Sequence, residues 1–185
     1  MLRPFRANDS QAVTQALNNI YVARNLARVK FPYAAEVARQ WFVFQKGFDQ
    51  SSMICAIAFR TAPDELFGAI SYEVREVADT IFGYWLRECC WRMGLTTEAA
   101  GALVHYAFTE GNMTMLASAY HKDNPNSGRI LQKIGFWESR SSVGKALRRQ
   151  ALAWLKIPKF QASNLAPPAT SGPTNKKTAQ HDRAA

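Results

Sequence analysis

Between Ile81 and Gly111 the hydrophobic pattern changes period once, and that change restricts the architectures open to the chain. Ile81 to Leu86 is aromatic, branched and too short for a helix, so it reads as a strand. From Thr97 onward Ala100, Leu103, Val104, Ala107 and Phe108 recur at helical spacing. Glu98, Gly101, His105 and Thr109 fall on the other face, and Gly111 stands where a left-handed cap is expected. Strand, turn and helix in that order leave unpaired backbone N–H groups at the positive end of the helix dipole. Gly94 removes the side chain that would block an anion there, so the turn suits a phosphate, although one glycine before a helix is also ordinary turn chemistry.

A second junction of the same kind follows. After the apolar run Met115 to Tyr120 comes His121-Lys122-Asp123-Asn124-Pro125-Asn126-Ser127. Asn124 reads as an N-cap, Pro125 as the first helical residue, Ile130, Leu131 and Ile134 as the buried face, and Gly135 as the stop. Ligands of α/β sheets collect at such strand-to-helix ends.

The rest of the chain supplies a sheet and its cover. Leu2 to Arg6 reads as an opening strand, followed by a helix capped at Asn8 or Asp9 with Val13, Ala16, Leu17 and Ile20 inward. Tyr21 to Phe31 shows no clear period. Pro32 opens a second helix to about Lys46, with Val37, Trp41 and Phe44 inward and Gly47 as terminator. Strands are expected at Ser52 to Arg60 and Leu66 to Tyr72, joined by a turn, and a linker from Glu73 to Asp79 leads to the strand ending at Leu86. Phe136 begins a further strand, Gly144 breaks it, and Ala146 to Leu155 gives the last. Three meander strands followed by strand-helix alternation argue for a mixed sheet with helices on both faces.

Composition then bounds the class. The 185 residues, 48% of them hydrophobic, fit one domain with an appendage. Residues 1–157 form the expected domain, and residues 158–185, with Pro167-Pro168, Ser171-Gly172-Pro173 and Lys176-Lys177, read as a disordered basic tail. No run is long enough to cross a bilayer, and no secretory pattern follows Arg3 and Arg6, so a cytoplasmic protein is expected. Cys55 reads as a core residue, and the vicinal Cys89 and Cys90 lack the spacing of a metal set or redox motif, so no metal is expected. The net charge of +9 suits nucleic acid, a ribosome, a polyanionic cofactor or simple solubility. No arginine-rich block or aromatic-interleaved RNA motif is visible, which disfavours direct nucleic-acid binding.

Three segments in order resemble the GCN5-related N-acetyltransferase superfamily: Gly83-Tyr84-Trp85-Leu86, then Trp91-Arg92-Met93-Gly94-Leu95-Thr96-Thr97-Glu98-Ala99, then Asn124-Pro125-Asn126-Ser127 through Gly135-Phe136. Within it the chain is most similar to the branch that acetylates ribosomal-protein N-termini, from Leu2 to about Ile157. The resemblance implies an α/β (α+β) fold with a mixed, mostly antiparallel central sheet and helices on both faces. It also implies acetyl-CoA as cofactor. The acceptor would be a primary amine, most plausibly a ribosomal or other protein N-terminus, and the enzyme a monomer or homodimer. Departures from the family pattern are Trp91 and Thr96 at the ends of the turn, Ile81 in place of a Glu, and Gln132 in place of the Tyr that many relatives use as acid. The last two keep open a second reading, an acyl-CoA-binding module that retains the fold without the chemistry.

By the same resemblance, the segment Tyr21 to Phe31, with Arg24, Arg28 and Lys30, would border the acceptor groove, and pantetheine would pair with the backbone of Tyr84, Trp85 and Leu86. The diphosphate would take N–H groups from the turn formed by Trp91, Arg92, Met93, Gly94, Leu95, Thr96 and Thr97, and Asn124 would orient the pantetheine arm. Acyl transfer needs a deprotonated amine and a proton for the leaving thiolate. Ser127 stands at the Asn-x-x-Ser position that the family places near the thiol, and is the candidate acid or else a helix first-turn hydroxyl. Glu73 and His121, each expected at a strand end, are the candidate bases, with a water chain as the substitute for both.

Overall fold

A computed structural model describes residues 1–45, 52–74, 80–138 and 152–157. Strand β1 is Leu2–Arg3, shorter than the run to Arg6 expected from sequence, because Pro4 has no N–H for a ladder and the chain turns into helix α1 (Asp9–Leu17). Asn8 holds the cap position without a side-chain bond. Asp9 is buried instead: its carboxylate accepts from the Arg6 amide at 2.8 Å and pairs with both ends of the Arg3 guanidinium at 2.7 and 2.8 Å. The remaining Arg3 N–H groups donate to the carbonyls of Pro4, Pro63 and Asp64. A buried pair of this kind holds its place only because every donor has an acceptor.

Val13, Ala16 and Leu17 face inward as expected, but Ile20 does not. The chain breaks at Asn18 and restarts as a short helix, α2 (Ile20–Ala23), whose cap Asn19 accepts from the Tyr21 amide at 2.8 Å, and this rotates Ile20 to solvent. Helix α3 spans Ala35–Gln45, so the Pro32 start is corrected by three residues. Val37, expected inward, is 49% exposed, because Ala38 and Phe42 set the phase of the buried face. Trp41 packs edge-on against Phe5 and Phe42. The Phe44 side chain, Lys46 and Gly47 lie outside the described residues.

Strands β2 (Met53–Ile57), β3 (Gly68–Val74) and β4 (Thr80–Leu86) form the expected antiparallel meander. Gly68 is required by close approach: a Cβ there would lie 2.4 Å from the Trp85 carbonyl oxygen. Then follow α4 (Leu95–Thr109), β5 (Ala117–His121), α5 (Pro125–Lys133), β6 (Phe136–Glu138) and β7 (Leu152–Ile157). The expected break at Gly144 and the first residues of the last strand lie outside the described residues. Among the described residues the seven strands form one sheet in the order β1-β2-β3-β4-β5-β7-β6. The pairings from β1 to β4 are antiparallel and include the longest ladder, β3 with β4, and the pairings from β4 outward are parallel.

The sheet divides two cores, one on each face, as the alternation of side chains requires. Ile70, Tyr72, Phe82, Leu86 and Tyr120 meet Leu103 and Ala107 of α4 and Leu131 of α5 on one face. Ala56, Leu66 and Trp85 meet Val13 and Leu17 of α1, Val22 of α2 and Ala38 of α3 on the other. Gly135 has the left-handed φ of 96° expected of a helix stop. Gly111 does not play that part; the left-handed residue after α4 is Asn112, with φ 51°. Gly111 is small for a packing reason, since a Cβ there would lie 2.9 Å from the Tyr72 hydroxyl. Among the described residues no helix is long and apolar enough to cross a membrane.

Candidate active site

The site is built where β4 hands the chain to α4 and where β5 hands it to α5. After Leu86 a short 3-10 helix, Glu88–Cys90, leads into a turn in which Arg92 and Gly94 are both left-handed, with φ 66° and 80°. Alternation between ordinary and left-handed residues turns successive backbone N–H groups to one side, the concavity that binds anions. Helix α4 begins at Leu95, two residues before Thr97, and no side chain caps it. The amide of Glu98 is the first with an acceptor in this helix, the Gly94 carbonyl at 3.1 Å. The amides of Leu95, Thr96 and Thr97 precede it and have no acceptor inside the helix. A Cβ built on Gly94 meets nothing within 4 Å, so the approach to these amides is open. This cradle fits the diphosphate of a CoA-type cofactor.

Trp91, first residue of the turn, ties it back to the sheet: its indole Nε1 donates to the Leu86 carbonyl at 2.9 Å. Met93 is exposed beside it. Cys89 is exposed and Cys90 buried, with sulfurs 3.7 Å apart. Burial and the neighbouring Cys89 push the Cys90 thiol up to about 11, so it remains a thiol near neutral pH. Among the described residues no group of three or more His, Cys, Asp or Glu could hold a metal ion.

Strands β4 and β5 pair only at Ile81 and Ala117. Beyond that point the backbones of Tyr84, Trp85 and Leu86 run past β5 without a ladder, which leaves an edge for an extended ligand. On the α5 side, Asn124 caps the helix by accepting from the Ser127 amide at 3.3 Å. The Ser127 hydroxyl lies 2.9 Å from the Tyr84 phenol, which also reaches the Ser127 carbonyl at 3.1 Å. Burial pushes the Tyr84 phenol up to about 12, the bond to Ser127 offsetting part of that rise.

The two candidate bases are not brought together. Glu73 is inside β3 rather than past its end, and lies opposite Ile81. Its carboxylate accepts from Arg28 Nη1 at 3.2 Å. His121 is likewise the last residue of β5 and 6% exposed. It stands four residues beyond Ala117, about 13 Å along the sheet from the level of Glu73. Strand alternation puts Glu73 on the face of α1 to α3, and Tyr84 and Ser127 on the face of α4 and α5. A proton acceptor and a proton donor thus stand on opposite faces of the sheet.

Sequence reasoning missed two things here. The resemblance assigns Tyr84 a role only through its backbone, and its contact with a residue 43 positions away has no local signal beyond the alternation that aims it at α5. The segment between α1 and α3 is anchored by contacts with no local signal: Arg28 to Glu73, and Asn19 Nδ2 to Glu88 Oε2 at 2.5 Å.

Known proteins can be set beside this geometry. A family model described as acetyltransferase (GNAT) domain matches residues 1–137. The ribosomal-protein-serine acetyltransferase of Escherichia coli strain K12 is 32% identical over 75 residues, 40% of this chain and 42% of that protein, so less than half of that relative's length is matched. Among solved structures, a spermidine N-acetyltransferase from Vibrio cholerae in complex with CoA and spermine has a TM-score of 0.64 at 14% identity, covering 80% of this chain and 92% of that one. A GNAT-family acetyltransferase from Bacillus anthracis has a TM-score of 0.63 at 21% identity, covering 75% and 80%. RimL, a ribosomal L7/L12 alpha-N-protein acetyltransferase in complex with coenzyme A, has 0.58 at 20%, covering 73% and 78%. At these identities the structural likeness speaks for the fold alone.

Proposed function

Because the chain belongs to the GNAT acetyltransferase family, whose enzymes use acetyl-CoA, we propose that its acceptor is the α-amino group of a protein N-terminus. The observation that carries this reading is the charge of the segment anchored over the acceptor side. From Ser10 to Ala35 the chain contains Arg24, Arg28 and Lys30 and no acidic residue. A polyamine, the other acceptor class among the structural neighbours, would meet the like charges of Arg24 and Lys30 there, Arg28 being paired with Glu73. A peptide N-terminus carries one positive charge, loses it before attack, and brings carbonyl oxygens and side chains that a basic groove tolerates. The ribosomal-protein acetyltransferase relative supports a cytoplasmic setting and a ribosomal or other protein acceptor.

The residues divide the work as follows. Bound acetyl-CoA supplies an acyl group activated as a thioester. The amides of Leu95, Thr96 and Thr97 and the left-handed turn through Arg92 and Gly94 hold the diphosphate, with Trp91 bracing the turn and Met93 at its exposed rim. The backbone of Tyr84 to Leu86 offers the free strand edge, and Asn124 fixes the first turn of α5. Ser127 Oγ holds the proton for the leaving sulfur. Glu73, kept in place by Arg28, takes the proton of the incoming ammonium, and His121 is the second base candidate.

The test is a panel of N-terminal peptides beside spermidine and a lysine side-chain analogue, with free CoA release measured and the acetylated product located by mass spectrometry. Transfer to a peptide α-amine with kcat/KM at least about tenfold above spermidine supports the reading. Preference for spermidine or for the lysine analogue overturns it.

A further inference from the structure

We propose that Tyr84 is a positioning residue for Ser127, holding the Oγ atom so that the serine proton is directed to the departing sulfur. The inference rests on the assignment of Ser127 just made. Every other part of Ser127 is already tied. Its amide meets the Asn124 side chain at 3.3 Å and the Asn124 carbonyl at 3.2 Å. The next residue, Gly128, packs so closely on Tyr120 that a Cβ there would lie 2.7 Å from the ring. The first turn of α5 is thus clamped on β5 through Tyr120 and on β4 through Tyr84, and the direction of the Ser127 O–H is what remains to be set.

The Tyr84 phenol reaches two oxygens of that one residue, the carbonyl at 3.1 Å and Oγ at 2.9 Å. Two hydrogen arrangements satisfy the pair. In one, Tyr84 donates to the Ser127 carbonyl while Ser127 donates to the phenol oxygen. In the other, Tyr84 donates to Oγ and the serine hydrogen is released for another acceptor. The two differ only by rotation of two hydroxyl hydrogens, with no heavy atom moved. A phenol that stays neutral can donate in either arrangement, which burial ensures for Tyr84.

In the transfer itself the N–C bond forms and the C–S bond breaks, the electron pair stays on sulfur, and the proton lost by the attacking nitrogen ends on that sulfur. Ser127 gives its hydrogen to the sulfur and takes up the proton that the attacking nitrogen loses, so both it and Tyr84 end as they began. Tyr84 acts through Ser127 and touches no reacting atom.

The experiment compares Tyr84→Phe, Ser127→Ala and the double variant on a verified peptide acceptor, with CoA binding followed by calorimetry and Tm recorded. Tyr84→Phe is expected to lower kcat about tenfold, with CoA affinity and the KM for acetyl-CoA changed less than about twofold. In the Ser127→Ala background the same change should add almost nothing. In the otherwise unaltered protein the Tyr84 hydroxyl proton should give a slowly exchanging NMR signal that shifts in Ser127→Ala. Additive losses, an unchanged kcat in Tyr84→Phe, or a hydroxyl signal indifferent to Ser127 overturns the role of Tyr84 alone. Unchanged turnover in Ser127→Ala removes Ser127 from the reaction, and this inference with it.

Discussion

Gly94 offers the sharpest separation of a binding role from a folding role. The residue has φ 80° and ψ −10°, and a Cβ built on it meets nothing within 4 Å. Gly94→Ala therefore adds no clash and carries only the left-handed penalty of an L-residue, about 1–2 kcal/mol. For a chain of this size that is a fall in Tm of about 2–8 °C, which leaves the protein folded. Asn tolerates the left-handed region better, so Gly94→Asn should cost less stability. Cofactor binding should follow the reverse logic, because any side chain occupies the open approach to the amides of Leu95 to Thr97, and the larger one obstructs more. CoA affinity is expected to fall at least about tenfold in Gly94→Ala, equivalent to about 1.4 kcal/mol, and further in Gly94→Asn and Gly94→Val. Thermal melts and calorimetric CoA titrations of the three variants are the assay. Folded variants with wild-type CoA affinity, or losses that follow the Tm rather than side-chain size, would refute the assignment of the diphosphate to this helix end.

Removing one partner of the buried Arg3–Asp9 pair, whose side chains are each 4% exposed, should cost about 3–5 kcal/mol in Asp9→Ala, read by urea unfolding. Burial favours the neutral form of Asp9, but Arg3, the Arg6 amide and Arg6 together hold its carboxyl below the ordinary carboxylate value. The stabilisation it provides is therefore present above that ordinary value and lost as pH falls through the depressed one, so the acid limb of a stability-pH curve should flatten in Asp9→Ala. The Tyr84 phenol, raised from 10.0 to about 12, works in the other direction: stability is intact below pH 10 and is lost between there and about pH 12, a limb that Tyr84→Phe should weaken. Truncation of residues 161–185 should leave Tm and CoA affinity unchanged, on compositional grounds, since that stretch has no periodic apolar face. A fall of several degrees would show otherwise.

What the sequence by itself determined about this protein is what short-range periodicity and cap chemistry encode. The strand ending at Leu86, the helix beyond Gly94, the Asn124-Pro125 start of α5 and its Gly135 stop all depend on neighbours a few residues apart, and each stands in the structure. The ordered spacing of those three segments was enough to indicate the acetyltransferase family and its cofactor. Only the tertiary structure decided the rest. The phase of α3 went to Ala38 over Val37, because Ala38 packs in the cluster with Ala56 and Leu66, residues that follow it in the chain. Gly111 reads as a helix cap and Gly68 as one residue of a strand, and each is in fact small because Tyr72 and Trp85, respectively, approach closely. Glu73 gained Arg28, and Ser127 gained Tyr84, across 45 and 43 residues of chain. Pairings of that range are selected by packing of the whole sheet between its two helical layers, and no local pattern carries them.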